Sequence, residues 1–254
     1  MKSRVLRAQN QVPAALKTAL KAEKKGGSDA GLYLSIGEMY FIFKQYQKSI
    51  EYLNKSLQKA QFNEQAYFYK GMVYAETGDT SRALSSLRTA IEMDPKYVDA
   101  YNALFKIHNA KKEHELAGQY LSSGLRFAPD DAYLWFNQGV LFRNTNQPDT
   151  AAGSFQRALQ LDSSFYMASY ELGKLLYQKE NYKEAVPYLQ RAYANDAQLA
   201  GIEALLAYSL EQTGKYAEAK EMYQRASDEN PADVEVQKGY ARVNAQLNKT
   251  AAKP

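Results

Sequence analysis

Apolar and polar residues along this chain follow a pattern that repeats as a block. From Ala30 to Asp233 the sequence falls into six units of 34 residues with no insertion between them. In register, one small position reads Gly37, Gly71, Phe105, Gly139, Gly173 and Ala207. A second reads Ser49, Ala83, Ala117, Ala151, Ala185 and Ala219, and a third Ser56, Ala90, Gly124, Ala158, Ala192 and Ala226. Large apolar residues keep the same beat: Tyr33, Tyr67, Tyr101 and Trp135 ahead of the first small position, and Leu53, Leu87, Leu121, Phe155, Leu189 and Tyr223 between the second and third. Small residues at fixed offsets mark places where two backbones approach closely, so each unit is a packing element that its neighbours complete.

Within a unit the spacing predicts two antiparallel helices. In the second unit one helix runs from Glu64 to Glu76, Thr77-Gly78-Asp79-Thr80 supplies turn chemistry, and a second runs from Ser81 to Met93, where Asp94-Pro95 stops it. Pro148 falls at the start of a second helix, a position that loses nothing by lacking an N–H. Pro187 falls about a turn inside the helix from Tyr182 to Ala194, where it is expected to cost a hydrogen bond or bend the helix. Extended backward, the register puts Pro13 at a helix start and Ala15 and Ala22 on small positions, which predicts a half repeat from Val12 to Lys25. Beyond Asp233, Val234 to Asn248 reads as a lone first helix made polar by Gln237, Lys238, Arg242 and Asn244, as the open end of a stack requires, and Lys249 to Pro254 as a frayed tail. The expected organisation is a cap over 1–29, repeats over 30–63, 64–97, 98–131, 132–165, 166–199 and 200–233, and a second cap with its tail over 234–254.

The order of these residues, aromatic, small, Tyr40 or Tyr74, then Ala, Leu or Phe, Ala, and a closing Pro95, Pro129 or Pro231, resembles the tetratricopeptide repeat family. The resemblance implies an all-α fold, a right-handed α-solenoid (superhelix) of antiparallel helix pairs. About function it is nearly silent, because scaffold residues define the family.

Composition closes other doors. No cysteine is present, so there is no disulfide, thiolate nucleophile or Cys-ligated metal, which suits cytoplasm and periplasm equally. Net charge is only +4, and the longest basic runs are pairs such as Lys24-Lys25, too little for a nucleic-acid footprint. No stretch approaches the roughly 20 apolar residues that span a bilayer. The expectation is a soluble chain, with Met1 compatible with the loss of an export signal or lipid anchor.

Catalytic constellations are thin. His108 and His114 are six apart, off the i, i+4 spacing of a helical metal pair, and His108 stands where neighbouring repeats carry Tyr or Phe, so packing is its expected role. Ser56-Leu-Gln-Lys59 has a Ser-x-x-Lys spacing, but Ser56 is on a small, buried position. Gly26, Gly27 and Gly31 form no phosphate loop. No cofactor or metal is expected, and an enzyme ranks last among the function classes, with Glu38 and Glu171 as the acids to test.

In the resembled family the first helices line a concave face. Carried over by position, that groove holds Phe68 and Met72 from the second repeat and Asn102 and Lys106 from the third. The fourth supplies Phe136, Val140 and Arg143, the fifth Tyr170, Lys174 and Tyr177, and the sixth Tyr208. Aromatics of this kind remove about 150–250 Å² each from water when buried, amides pair with peptide backbone, and cations pair with carboxylates. The two-carboxylate clamp of chaperone-tail adaptors is missing: its positions hold Leu34, Glu38, Tyr69, Asp99 and Ala103 from the first repeat, and later frames do no better.

The expected function is a non-enzymatic scaffold that holds a peptide or partner helix, with no nucleic-acid partner. Its layout of six repeats resembles the pilotin lipoproteins of type IV pilus systems, and that resemblance implies a bacterial envelope or pilus-type assembly as the setting. The alternatives are that the groove aromatics only pack on each other, that the N-terminal helix fills the groove, and that the terminal helices mediate self-association.

Overall fold

The computed structural model describes residues 2–251, with side chains described for 12–249. Among the described residues the chain forms fourteen α-helices and no strand. The first, α1, spans Lys2–Lys24, and the next pairs are α2 (Ala30–Ile42) with α3 (Tyr46–Lys59), α4 (Glu64–Glu76) with α5 (Thr80–Met93) and α6 (Val98–Ala110) with α7 (His114–Phe127). There follow α8 (Ala132–Asn144) with α9 (Pro148–Leu161), α10 (Tyr166–Gln178) with α11 (Tyr182–Asn195), α12 (Ile202–Gln212) with α13 (Tyr216–Glu229), and finally α14 (Val234–Ala251). The helices form two compact units, Met1–Pro129 and Asp130–Pro254.

Both units are built from one packing motif. In four of the six repeats the leucine or phenylalanine of the second helix presses on the glycine of the first: a Cβ placed on Gly37, Gly71, Gly139 or Gly173 would stand 2.8, 2.6, 2.5 or 2.8 Å from Leu53, Leu87, Phe155 or Leu189. The other small positions bring the helices together from the opposite side, and Ala83, Ala90, Ala151, Ala158, Ala185 and Ala192 are fully buried. In the first repeat these positions are serines whose hydroxyls donate to α2 carbonyls, Ser49 Oγ to Gly37 O at 2.8 Å and Ser56 Oγ to Ala30 O at 2.8 Å. Ser56 is therefore buried and engaged, which removes Ser-x-x-Lys as a nucleophile.

The turn inside each repeat is equally regular. Lys44, Gly78, Lys112, Asn146, Glu180 and Gly214 all have φ between 57° and 82°. The next N–H reaches five residues back to a first-helix carbonyl, as in Asp79 N to Tyr74 O at 2.8 Å and Asn181 N to Leu176 O at 2.9 Å. This is the Schellman closure, in which one left-handed residue lets the terminal carbonyls be satisfied. Helix starts are marked where Asn63, Asp79 and Asp131 accept from Ala66 N, Arg82 N and Leu134 N at 2.9, 2.9 and 2.8 Å. With Asp79 as the cap, α5 begins at Thr80, one residue earlier than expected.

In the first unit, α1 departs from its sequence reading. It is one helix from Lys2 with Pro13 inside rather than at its start. Ala15 and Ala22, expected on buried small positions, are exposed. Val12, Leu16, Ala19 and Leu20 instead pack on Ile36, Met39 and Tyr40, and Tyr52 donates to Glu23 Oε2 at 2.8 Å. An α1 held by its larger residues needs no small ones, because it covers the end of the array instead of interlocking with a partner helix.

In the second unit, α9 begins at Pro148 as expected and α11 continues through Pro187. α14 buries Val236 and Val243 while Glu235, Gln237, Lys238 and Arg242 stay exposed. The segment from Lys249, expected to fray, is helical to Ala251, and residues 252–254 lie outside the described residues. The first helix α12 is two residues shorter than its counterparts: the register places its start at position 200, but a turn ending at Gly201, φ 67°, delays it to Ile202.

Candidate functional site

The expected site residues lie on the first helices, which touch one another in sequence, α2 with α4 and α4 with α6 in the first unit and α10 with α12 and α12 with α14 in the second. In the first unit this surface is a run of rings. Tyr46, Phe41, Tyr69, Phe68 and Tyr97 follow one another with centroids 6.3, 5.8, 5.3 and 5.2 Å apart. Tyr69 donates to Glu38 Oε1 at 2.7 Å, and burial followed by that carboxylate holds its hydroxyl far above the usual range, so it stays a donor. Phe68 and Met72 are half-buried against the core around Leu87 and Leu104. Asn102 is 7% exposed and withdrawn from the surface, whereas Lys106 is exposed.

In the second unit each step along the first helices is crossed by one side-chain pair. Arg143 on α8 pairs with Glu171 on α10. Tyr177 on α10 meets Tyr208 on α12 edge to face at 5.6 Å, and Tyr182 completes a trio at 5.7 and 5.5 Å. Arg242 on α14 forks onto Glu211 on α12 at 2.8 and 2.9 Å, where Tyr223 also donates at 2.5 Å. Burial opposes ionisation of Glu211, but the two donors outweigh it and hold its carboxyl below the usual range.

Other expected residues divide between packing and surface. Phe136 is wedged among Phe165, Phe155 and Tyr133 at 5.0, 5.6 and 6.1 Å, and Val140 supports the same cluster. Tyr170 donates to Ala200 O at 2.7 Å, and the Lys174 ammonium stands 5.6 Å over its ring. Lys174 is half-exposed and forms no ion pair among the described residues. Phe136, Tyr170, Tyr177 and Tyr208 are all half-buried, so each ring is partly packed and partly at the surface.

Glu38 and Glu171 are each engaged by a neighbour, and among the described residues no three His, Asp or Glu side chains gather as a metal site. His108 is 2% exposed, stacks on Tyr120 at 5.3 Å and places Nδ1 2.5 Å from Glu113 Oε2, the packing role its register predicts. Among the described residues no helix is long and apolar enough to cross a membrane. Sequence reasoning missed Tyr182 and Glu203, which lie off the expected groove positions. It also missed Arg242 as a face residue, although extending the register one repeat further would have aligned it with Lys174 and Tyr208.

Known proteins agree with the fold. Two tetratricopeptide repeat family models match, one over residues 1–64 and 136–200 and the other over 74–135 and 176–243. The chain is 24% identical over 149 residues to anaphase-promoting complex subunit 3 of Schizosaccharomyces pombe, covering 58% of this chain and 22% of that one. It spans less than half the length of the curated relatives it matches first. Its fold is similar to that of Pseudomonas aeruginosa pilF, with a TM-score of 0.75 at 18% identity over 85% of this chain and 97% of that one. It is similar also to YrrB, described as a TPR protein with an unusual peptide-binding site, with a TM-score of 0.58 at 20% identity over 74% and 97%. The chain belongs to the tetratricopeptide repeat family, whose members are generally non-catalytic scaffolds for protein interaction.

Proposed function

We propose that the first-helix face of the second unit docks an extended peptide segment of a partner protein. The observation that carries this reading is the pairing of half-exposed rings, Tyr170, Tyr177 and Tyr208, with Lys174, a cation that has no ion-pair partner among the described residues. Ring edges take apolar peptide side chains, and the ammonium takes a carboxylate or chain terminus. Tyr177 and Tyr208 brace each other and Tyr170 is held by the Ala200 carbonyl, so little rotamer freedom is lost when a ligand arrives. The peptide-binding site described for YrrB, on the same fold, supports the reading. An envelope or pilus-type assembly is the proposed setting, on the layout of six repeats alone.

The test is selection of random peptides displayed on phage by the full chain. The wild type is expected to enrich a consensus that Lys174→Glu and Tyr208→Ala lose, while Lys183→Glu, exposed on the second helix α11, retains it. Enrichment of no consensus, or equal retention by Lys174→Glu, overturns the reading.

A further inference from the structure

The delayed start of α12 leaves a cavity of about 380 Å³ at its N-terminal end, walled by α12, α13 and the first turn of α14. Its lining carries three carboxylates, Glu203, Glu229 and Asp233, and no Lys or Arg. Glu203 is 8% exposed, and its Oε2 is buried with no hydrogen-bond partner. A buried carboxylate oxygen left without a donor is costly, and native structures rarely keep one without a purpose. Burial pushes the Glu203 carboxyl above its usual range; its own backbone N–H opposes that in part, and Glu229 adds a smaller upward push. Arg225, the basic residue that acts on it, is held by Glu221 and the Tyr193 hydroxyl, each at 2.9 Å.

The missing partner is a hydrogen-bond donor with positive charge, and the shape of the site narrows the choice. Among the described residues no three carboxylates converge as a metal ion requires, so spread acceptors favour a group with several donors. The walls between the acids are small and apolar, Ala204, Ala226 and Val236, suited to a slim methylene stem that ends in a compact ammonium. Ala200 also lines the cavity, and its carbonyl accepts the Tyr170 hydroxyl at 2.7 Å, so cavity and peptide face share a wall.

We propose that this cavity receives a lysine side chain of the docked peptide, with the ammonium paired with the Glu203 carboxylate and facing Glu229 and Asp233. The inference rests on the peptide-docking reading. The same phage selection tests it at the level of single positions. Wild-type full chain is expected to enrich Lys over Arg and norleucine-like residues such as Met at one position of the consensus. Synthetic consensus peptide is expected to bind the Glu203→Gln chain roughly tenfold or more weakly, and to lose less than threefold when its lysine is already replaced by norleucine.

Glu203→Gln without peptide supplies a readout that a structural role would move the other way. Removal of a desolvated, unpartnered charge is expected to leave the thermal midpoint unchanged or raised, and a drop of several degrees overturns the proposal. A consensus without a Lys position, or one whose affinity Glu203→Gln leaves intact, overturns this inference alone. Absence of any consensus overturns the docking reading with it. Calcium binding to the free chain that Glu203→Gln abolishes would assign the cavity to a metal ion and also overturn the proposal.

Discussion

The ring of Phe155 fills the space in which a side chain on Gly139 would have to stand, 2.5 Å from the position of its Cβ. Gly139→Ala is expected to lower unfolding stability by about 1–2 kcal/mol, since overpacking of about 1–3 kcal/mol outweighs the roughly 0.5–1 kcal/mol gained by removing a helical glycine. Gly153 is exposed on α9, and a Cβ there would meet nothing within 4 Å, so the opposing contact is lacking. Gly153→Ala is therefore expected to raise stability by about 0.5–1 kcal/mol. Urea midpoints at constant m-value measure both, and a shift of the same sign for the two would refute the packing account.

The six repeat turns form a natural series, because the same left-handed position is glycine in two and Lys44, Lys112, Asn146 or Glu180 in the others. A side chain there costs about 1–2 kcal/mol, and glycine returns roughly 0.5–1 kcal/mol of that as backbone entropy. Lys112→Gly and Glu180→Gly are expected to stabilise by up to about 1 kcal/mol, and Asn146→Gly by less, since Asn tolerates this conformation. Thermal midpoints that fall in the two non-Asn variants would show that their side chains make compensating contacts.

Acid should loosen α14 before the rest of its unit. Glu211 has a folded pKa below its unfolded value of about 4.3, so the unfolded chain binds the extra proton between the two values. Its contribution is present above the unfolded value and is lost as pH falls through the folded one. Methyl resonances of Val243, 1% exposed, are expected to report undocking in that window. Arg242→Gln is expected to flatten this dependence and cost about 1 kcal/mol, toward the low end for charged hydrogen bonds because Arg242 is half exposed.

Phe136 and Lys174, both expected on the groove, should separate stability from binding. Phe136→Ala is expected to cost about 3 kcal/mol, the low end for phenylalanine truncation at a half-buried site, whereas Lys174→Glu should stay within about 0.5 kcal/mol. Chemical denaturation of the two variants decides whether a loss of peptide capture reflects the face or the fold.

The residues that were legible and those that were not differ in how they act. The ends of α4 and the start of α9 at Pro148 could be read because caps, turns and prolines act over a few residues. The register failed at α1, where Pro13 lies inside the helix and Ala15 and Ala22 face solvent, because α1 packs through its larger residues on α2 and reaches α3 through Glu23 rather than interlocking by small ones. It also failed to separate Phe136 from Tyr170, which occupy the same repeat position. Phe165, contributed by the following turn, packs against Phe136, while no ring stacks on Tyr170, which meets the carbonyl of Ala200 and the Lys174 ammonium.

The sequence by itself determined the repeat, its two helices and the buried small-to-large contacts, since each recurs at a fixed offset and depends on residue size and backbone preference alone. Tertiary structure decided the rest: which side chains cross between repeats, as Arg143 does to Glu171 and Arg242 to Glu211, and that a two-residue delay in α12 opens an acidic cavity around Glu203. Those outcomes depend on which side chains some thirty residues apart come within reach of one another, and that is set only when the helices stack.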